Sequence, residues 1–387
     1  MAPTSTYLDH AATTPLRPEA RAAMAPFVDG DGSYANPSGG HALARAARKA
    51  VDDARESVAD VLGCAPGEVV FTSGGTEADN HAVLGAVRRG GGRAVCTTIE
   101  HHAVLHPVEH LGGRLVEVDA AGVVDLVELE AALVTGDGDG GGDRVRVVSV
   151  MAANNEVGTI QPLLRVTRLV SKRAPDAYVH TDAVQGAAWL DLALVAKHCH
   201  LMSISAHKFG GPKGVGALVV RDGVELEPLL FGGGQERDRR SGTHNVAGIV
   251  GLASALVATA SQREDADTRV RALRDRLLDE LLARVPGLHE TVPRDAKVAG
   301  AAHVCVEGVE SEALLYLLER EGVYASAASS CASGAMEPSH VLQAMGVPKE
   351  LAAGALRLTL GFASTDADID RALDVVPAAV AHLRRER

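Results

Sequence analysis

The sequence predicts an α/β fold, in which strands alternate with helices. Five short apolar runs have the length and composition of buried strands, at 68–71, 93–98, 145–151, 177–180 and 201–204. Most of these runs end in polar residues. A sheet of this kind binds its ligand in the crevice outside the carboxyl ends of the strands, so we expect the polar residues that follow them to share one rim.

Length and composition are those of a globular protein with two domains. The chain has 387 residues, of which 46% are apolar and 23% charged. The formal net charge of −12 disfavours generic binding to nucleic acid or to an anionic membrane. The amino terminus lacks the pattern of a signal peptide, and we expect no apolar run of membrane-spanning length. These features predict a cytoplasmic protein.

The five cysteines are odd in number and scattered, at positions 64, 96, 199, 305 and 331. They lack CxxC spacing, which favours reduced thiols over a disulfide framework. Cys96 and Cys305 lie in apolar, strand-like runs and are interpreted as packing residues. Cys331 lies among small polar residues at 326–335, a composition typical of a mobile loop.

The first elements in chain order lead to a candidate phosphate site. Residues 9–15 are predicted to form a polar loop after a very short strand, and the apolar spacing over 41–62 predicts a helix. The strand at 68–71 opens into Thr72-Ser-Gly-Gly-Thr-Glu77, followed by a helical run to Val87. Free N–H groups and hydroxyls at a helix amino terminus can bind phosphate, although structural turns of similar composition are common.

Histidines follow the next strand, at 101, 102, 106 and 110. Three of them share a helical face, but that face carries no acidic or cysteine ligand, so we expect no metal site there. Asn154 and Asn155 follow the strand at 145–151, and Asp182 and Gln185 follow the strand at 177–180. Asp182 taken alone is more often a helix cap than a catalytic acid.

The stretch 203–216 places Lys208 between a strand end and a glycine-rich turn, with Ser205 and His207 beside it. A lysine where the backbone can crowd against a ligand suits a Schiff base, and the neighbouring hydroxyl and imidazole suit a phosphate. The alternative is a solvated lysine in a turn. Further on, a strand is predicted at 214–220, a charged glycine-rich loop at 231–243 and a long helix at 244–285.

The remaining elements form a second domain, with a strand at 303–306, a helix at 311–321, a strand at 357–361 and a final helix. We place the large domain at 16–262. The small domain then comprises 1–15 and 263–387, and it carries the Cys331 loop.

The motifs together resemble those of cysteine desulfurases of the NifS/IscS type, which are class-V aminotransferase-like, fold-type I pyridoxal phosphate enzymes. The resemblance spans the chain. It rests on Tyr-Leu-Asp-His-Ala-Ala-Thr-Thr-Pro at 7–15, Ser-Gly-Gly-Thr-Glu-Ala-Asp-Asn at 73–80, Glu-His-His-Ala-Val-Leu at 100–105, Asn-Asn-Glu-Val-Gly at 154–158, Ser-Ala-His-Lys at 205–208 and Ser-Cys-Ala-Ser-Gly at 330–334. It implies a homodimer with a large domain built on a mainly parallel seven-stranded sheet and a smaller α+β domain.

The resemblance also implies a role for each matching residue. The residues implied to contact the cofactor are Gly75, Thr76, His101, Asp182, Gln185, Ser205, His207 and Lys208, together with Thr243 from the other subunit of the dimer. Lys208 forms the Schiff base and moves protons, His101 stacks on the ring, Asp182 pairs with the ring nitrogen and Gln185 bonds the phenolic oxygen. Asn155 and Arg357 bind the substrate carboxylate, assisted by Asn36, and Cys331 is the nucleophile.

The implied reaction converts L-cysteine to L-alanine and leaves a persulfide on Cys331, which passes to a protein acceptor. That acceptor is an iron–sulfur scaffold or a carrier for thiolation of RNA, DNA or a small molecule. One alternative is a selenocysteine or cysteine lyase, or another enzyme of this class, that releases sulfide directly; another is a thiol-rich metal-binding protein. The chain departs from the family at Ala206, at Ala152 and Ala153, before Cys331 and in its short carboxyl end, and these departures bear on the acceptor.

Overall fold

The computed structural model describes residues 5–29, 34–134, 144–327 and 339–385. Its strands are β1 (Thr6–Tyr7), β2 (Val69–Thr72), β3 (Arg93–Thr97), β4 (Arg114–Val116), β5 (Val145–Ser149), β6 (Tyr178–Asp182), β7 (Leu201–Ser205), β8 (Gly216–Val220), β9 (Leu288–Glu290), β10 (Ala301–Val306), β11 (Val323–Tyr324) and β12 (Ala355–Thr359). Its helices are α1 (Pro18–Val28), α2 (Ala42–Leu62), α3 (Gly75–Gly90), α4 (His102–His110), α5 (Leu126–Leu133), α6 (Leu163–Arg173), α7 (Leu192–Ala196), α8 (Val246–Arg284), α9 (Ser311–Arg320), α10 (His340–Ala344), α11 (Lys349–Ala352) and α12 (Asp366–Arg385).

The largest sheet has seven strands in the order β2-β8-β7-β6-β5-β3-β4. Strand β8 is antiparallel to both of its neighbours, whereas the other pairings are parallel. The predicted α/β fold with a mainly parallel sheet is confirmed. The carboxyl ends of the parallel strands therefore meet at one edge.

Both faces of this sheet are buried, which explains why its strands are apolar runs without strict alternation. In β7, Met202 and Ile204 pack into the core formed with α2 and α8, while Leu201 faces the opposite side, against α3. The side-chain period of two sends successive residues to opposite faces.

A second core surrounds the antiparallel sheet β12-β10-β9 and the short parallel pair of β1 with β11. Helix α8 contributes to both cores: Ile249 and Leu252 pack in the first, and Leu277 and Leu281 in the second. Leu8 also belongs to the second core. We propose that the two cores correspond to domains at 16–262 and at 1–15 with 263–387; this boundary stays a prediction.

Among the described residues, α8 is the one helix long and apolar enough to cross a membrane. The expectation that no apolar run reaches that length is therefore wrong for this segment. Half of its most apolar window is buried within the protein. Because buried core helices share this length and composition, the match is weak evidence for a membrane span.

A close backbone approach connects the sheet to the start of α3. A Cβ atom on Gly216 would lie 2.6 Å from the Ile204 oxygen and 2.8 Å from the Gly74 carbonyl carbon. Both contacts are with backbone, which cannot swing aside, so a side chain here would force the strands apart. Glycine at 216 keeps the turn before α3 against the end of β7.

Candidate active site

A cleft of about 290 Å³ lies at the carboxyl edge of the large sheet, near the lower end of the range for small-molecule sites. It is lined by residues that follow β2, β3, β5, β6 and β7, and by Arg357 of β12. The residues predicted from the sequence that line it are Gly75, Thr76, His101, Asn155, Asp182, Gln185, Ser205, His207, Lys208 and Arg357. The fold therefore brings together residues separated by up to 282 positions.

Lys208 ends a single helical turn that directly follows β7. Its Nζ donates to the carbonyl oxygens of Ala11, at 2.5 Å, and Ala12, at 2.9 Å. Burial lowers the pKa of Lys208 to about 8, helped by the positive charge of Arg357 and partly opposed by Asp182 and Asp9. A substantial fraction of this amine is therefore neutral near pH 8 and can act as a nucleophile.

The start of α3 forms a cradle with the end of β7. A Cβ atom on Gly75 would lie 2.8 Å from Cγ2 of Val184 and 3.4 Å from Cβ of Ser205. Only glycine leaves this space open, and the helix amino terminus directs N–H groups and a positive dipole end into it. The hydroxyls of Thr76 and Ser205 line the same cleft. This donor set suits a phosphate group.

His207 completes the cradle. Its Nδ1 lies 3.2 Å from Oγ1 of Thr13. Burial, together with the smaller effect of the nearby Lys208 and Lys213 charges, lowers the pKa of His207 to about 4. The ring is therefore neutral at physiological pH and can offer an anion a hydrogen bond but no charge.

Asp182 and Gln185 follow β6. Oδ1 of Asp182 accepts the N–H of Val184 at 2.8 Å, and Nε2 of Gln185 donates to the Ala11 carbonyl oxygen at 2.7 Å. Burial raises the pKa of Asp182, although the Val184 N–H bond and the Lys208 charge oppose the rise. A buried carboxylate of this kind is stabilised by a cationic partner, such as a protonated ring nitrogen.

His101 caps the amino terminus of α4, where its Nδ1 accepts the N–H of Ala103 at 3.1 Å. Burial, together with the smaller effects of Lys208, His102 and His106, lowers the pKa of His101 to about 4. The cap fixes the ring orientation, and the low pKa keeps it a neutral aromatic group. Such a ring can lie against a planar cofactor.

Arg357 reaches the cleft from the second core. Its Nη1 donates to the Asn155 carbonyl oxygen at 3.0 Å, and its Nη2 donates to Oδ1 of Asp9 at 2.7 Å. The buried Nε of Arg357 has no hydrogen-bond partner among the described residues. The guanidinium therefore keeps one donor for a carboxylate ligand, while Asp9 and Asn155 hold its position.

The donor set fits pyridoxal phosphate. The Lys208 amine can bond to the aldehyde, and the cradle at Gly75, which any Cβ would obstruct, can hold the phosphate. The buried carboxylate of Asp182 suits the ring nitrogen, and the amide of Gln185 suits the ring oxygen. The unpaired Nε of Arg357 is suited to the carboxylate of an amino-acid substrate.

Two of the predicted residues lie outside this arrangement, and a third cannot be placed in it because it is outside the described residues. Asn36 is exposed and its Oδ1 accepts the N–H of Ser38, so its side chain is engaged in a local turn away from the cleft. Thr243 is exposed and does not line the cleft of its own chain. Cys331 lies outside the described residues.

Several lining groups were not predicted from the sequence. The carbonyl oxygens of Ala11 and Ala12, which hold Lys208, carry no side-chain signal. Asp79 also lines the cleft. It follows Thr76 by three residues, the spacing that puts two side chains on one helix face. Once the helix α3 is assigned, this spacing predicts that Asp79 faces the cleft as Thr76 does.

The histidines near α4 pack closely without forming a metal centre. The ring of His102 lies 4.7 Å from the rings of both His106 and His340, measured between centroids. Nε2 of His340 lies 3.0 Å from the Glu100 carbonyl oxygen. No group of three or more His, Cys, Asp or Glu side chains in the described part of the chain is arranged to hold a metal ion.

Comparison with known proteins covers nearly the whole chain. The family model for class-V aminotransferases matches residues 6–372. An IscS-like cysteine desulfurase of Mycobacterium tuberculosis H37Rv is 44% identical, over 98% of this chain and 97% of the relative. The cysteine desulfurase IscS of Methanosarcina thermophila is 42% identical, over 98% and 92%.

A solved structure described as a NifS-like protein has the same fold. It superposes with a TM-score of 0.89 at 37% sequence identity, and the match covers 98% of this chain and all of that one. The chain belongs to the class-V aminotransferase family, among its IscS- and NifS-like cysteine desulfurases, whose cofactor is pyridoxal phosphate.

Proposed function

We propose that this cysteine desulfurase transfers sulfur from L-cysteine to Cys331, forms L-alanine, and passes the sulfur on to a protein acceptor. The proposal rests on one cleft that combines three features: the partly neutral amine of Lys208, the phosphate cradle at Gly75, and the Arg357 guanidinium, whose Nε has no hydrogen-bond partner among the described residues. These are the groups that an amino-acid substrate and its cofactor need together.

The residues that would hold pyridoxal phosphate are those of the cradle, with Asp182, Gln185 and His101. The bound cofactor supplies an aldehyde that bonds to amines and a ring that withdraws electrons from the substrate. Arg357 and Asn155 orient the substrate carboxylate. The Lys208 amine removes a proton from the substrate Cα and returns it, a role for which its pKa of about 8 is suited.

Cys331 acts as the sulfur acceptor. Its thiolate attacks the sulfur of the substrate, a sulfur–sulfur bond forms, and the bond between sulfur and Cβ breaks. The electron pair of the broken bond stays with the substrate carbon, which takes up a proton to give alanine. A persulfide remains on Cys331, and a second thiolate can then attack its outer sulfur.

The other cysteines support this assignment. Burial raises the pKa of Cys64 to about 11 and that of Cys199 and Cys305 to about 12. Burial also raises the pKa of Cys96 well above its usual value. The four cysteines in the described ranges are thus held as thiols, whereas sulfur transfer needs a thiolate.

The experiment that tests Cys331 compares Cys331→Ser with the control Cys64→Ser in protein loaded with pyridoxal phosphate. Cys331→Ser should keep the cofactor spectrum and L-cysteine binding, yet form no protein persulfide. Cys64→Ser should behave as the wild type. Unchanged sulfide release by Cys331→Ser would contradict the proposal and favour a lyase that needs no cysteine nucleophile.

We further propose a cytoplasmic homodimer. Support comes from Thr243, which is exposed and outside the cleft of its own chain, where it is free to serve a partner's site. Nearby Phe231 is 78% exposed, an unusual state for a large apolar side chain. Light scattering of the purified protein should give twice the chain mass, and a monomeric mass with full activity would contradict the dimer.

The acceptor is proposed to be a protein thiol, either on an iron–sulfur scaffold or on a carrier for thiolation. Radiolabelled L-cysteine incubated with enzyme and candidate acceptors, followed by non-reducing separation, should move label from this chain to one acceptor. Label that leaves this chain only when a small thiol is added would instead identify a sulfide-producing enzyme.

A further inference from the structure

A row of polar side chains crosses the large sheet beneath α3. Ser149 on β5, His180 on β6 and Ser203 on β7 are each fully buried. Nδ1 of His180 lies 2.8 Å from Oγ of Ser149, and its Nε2 lies 3.0 Å from Oγ of Ser203. Both ring nitrogens are thus engaged by hydroxyls.

Asp79 of α3 lies over this row and beside the cofactor cleft. Its Oδ1 is 3.6 Å from Nε2 of His180, and its carboxyl group hydrogen-bonds to Ser203. The residue is 1% exposed. Within the described residues, Oδ1 is a buried oxygen without a hydrogen-bond partner, a costly arrangement for an ionised carboxylate.

The groups around Asp79 are acidic or neutral. Asp182 from β6 and Glu100, which precedes α4, are both buried carboxyl groups that disfavour a second negative charge. Oε1 of Glu100 accepts the Thr97 hydroxyl at 2.7 Å and the Met151 N–H at 2.9 Å, while its Oε2 has no partner within the described ranges. The nearby cation, Lys208, acts on Asp182.

His180 does not supply the missing positive charge. Burial lowers the pKa of His180 to about 3, so its ring is neutral. Burial raises the pKa of Asp79 well above its usual value, and the neighbouring Asp182 raises it further. Neighbouring buried carboxyl groups rarely ionise together, and the negative charge of Asp182 disfavours ionisation of Asp79.

We propose that Asp79 is a positioning residue that keeps its proton in the folded enzyme, so that Asp182 alone presents negative charge to the ring nitrogen of the cofactor. Asp182 accepts a backbone N–H and faces Lys208, and both favour its ionised form. Asp79 has neither. The neutral carboxyl of Asp79 also fixes Ser203 and His180 beneath the site. This inference rests on the proposed role of Asp182, but it is independent of where the sulfur goes.

The first test uses Asp79→Asn and Asp79→Ala in the full chain with pyridoxal phosphate. Asparagine matches the size and neutrality of a protonated carboxyl group. In Asp79→Asn we therefore expect wild-type values for the cofactor dissociation constant and for the pH midpoint of its visible absorption. Asp79→Ala removes the partner of Ser203, and the cofactor should bind on the order of tenfold more weakly.

Two results would overturn the proposal. A shifted pH midpoint in Asp79→Asn would show that the wild-type residue carries charge. Wild-type cofactor binding in Asp79→Ala would show that the residue positions nothing. Neither measurement depends on L-cysteine or on Cys331, so failure here is distinguishable from failure of the proposed reaction.

A second test covers the case in which Asp79→Ala does not fold. The infrared difference spectrum of wild type minus Asp79→Asn should contain the carbonyl stretch of a protonated carboxylic acid. The matched control is Asp53→Asn, because the Asp53 side chain is 58% exposed and paired with Lys49; its difference spectrum should show ionised carboxylate bands. Ionised carboxylate bands in the Asp79→Asn difference would also contradict the proposal.

Discussion

The reactivity of Lys208 depends on where its amine is held. Two backbone carbonyl oxygens, of Ala11 and Ala12, accept hydrogen bonds from Nζ. The amine faces the cleft but is buried away from bulk water, and this burial disfavours its charged form. Burial thus increases the neutral fraction of this amine.

The pH dependence of cofactor uptake follows from this environment. Only the neutral amine can bond to the cofactor aldehyde, and burial lowers the pKa of Lys208 to about 8. The rate at which apoprotein takes up pyridoxal phosphate should therefore rise as pH increases through about 8 and level off above it. Stopped-flow absorbance measures the rate.

The control is Lys208→Ala, which should show no lysine-dependent visible band at any pH. An uptake rate that stays flat across this pH range would contradict the lowered pKa. A visible band that survives in Lys208→Ala would contradict the assignment of the residue.

Among the elements, α3 contributes both to the phosphate cradle and to the polar row beneath the cofactor site, because it packs against β7. Its first turn forms the cradle, and Asp79, one turn later, reaches the polar row under the cofactor site. The contact that sets this position is between Gly75 and Val184, where no side-chain atom can be added without displacement.

Gly75→Ala should weaken cofactor binding. The new Cβ would lie 2.8 Å from Cγ2 of Val184, so α3 or the turn after β6 must shift. Loss of about one good phosphate hydrogen bond corresponds to roughly a tenfold increase in the dissociation constant for pyridoxal phosphate. Gly40→Ala is the matched control, because a Cβ there meets nothing within 4 Å. Equal affinities of the two variants would contradict the cradle.

The short turn Gln235–Asp238 is held by a buried ion pair. Glu236, Arg237 and Asp238 have φ values of 51°, 58° and 63°, in the left-handed region that costs energy for residues other than glycine. Both carboxylate oxygens of Glu236 accept from Arg55, at 2.8 and 2.6 Å, and one also accepts the Phe71 N–H at 2.9 Å. These bonds tie the strained turn to α2 and β2.

Glu236→Gln should lower the free energy of unfolding by roughly 3–5 kcal/mol, because it leaves Arg55 buried without its counter-ion. Urea unfolding measures the change. Glu225→Gln is the control: its pair with Arg89 is exposed and should contribute less than about 1 kcal/mol. Similar losses in the two variants would contradict the account.

The same pair sets an acid sensitivity. Hydrogen bonds from His244 and Arg55 and the Arg55 charge outweigh burial, and they lower the pKa of Glu236 to about 2 from its ordinary 4.5. Its contribution to stability is therefore complete above about pH 4.5 and is lost as pH falls towards 2. In Glu236→Gln this part of the pH dependence should be absent.

For the whole molecule, the sequence predicts elements well where they bury a regular apolar pattern. The helix predicted at 41–62 is α2, and the helix predicted at 244–285 is α8. Helix α1 was not predicted, because Ala20 is its one buried residue and leaves no apolar stripe. Strand β4 was missed since two of its three residues are exposed.

The candidate site was predicted as a set of residues but not as a set of contacts. Motif order identified Lys208, Asp182 and Arg357. The ion pair of Arg357 with Asp9 joins residues 348 positions apart, and the burial of Asp79 beside Asp182 requires α3 to lie on the sheet. Such pairings depend on tertiary packing, which no local pattern encodes.

As a cysteine desulfurase, this chain is expected to convert L-cysteine to L-alanine. The most direct measurement is the identity of the carbon product formed from L-cysteine by purified protein with pyridoxal phosphate and an excess of a small thiol. We expect L-alanine and sulfide in equal amounts, with both lost in Lys208→Ala. Pyruvate and ammonia in place of alanine, or alanine formation that persists in Lys208→Ala, would contradict the account.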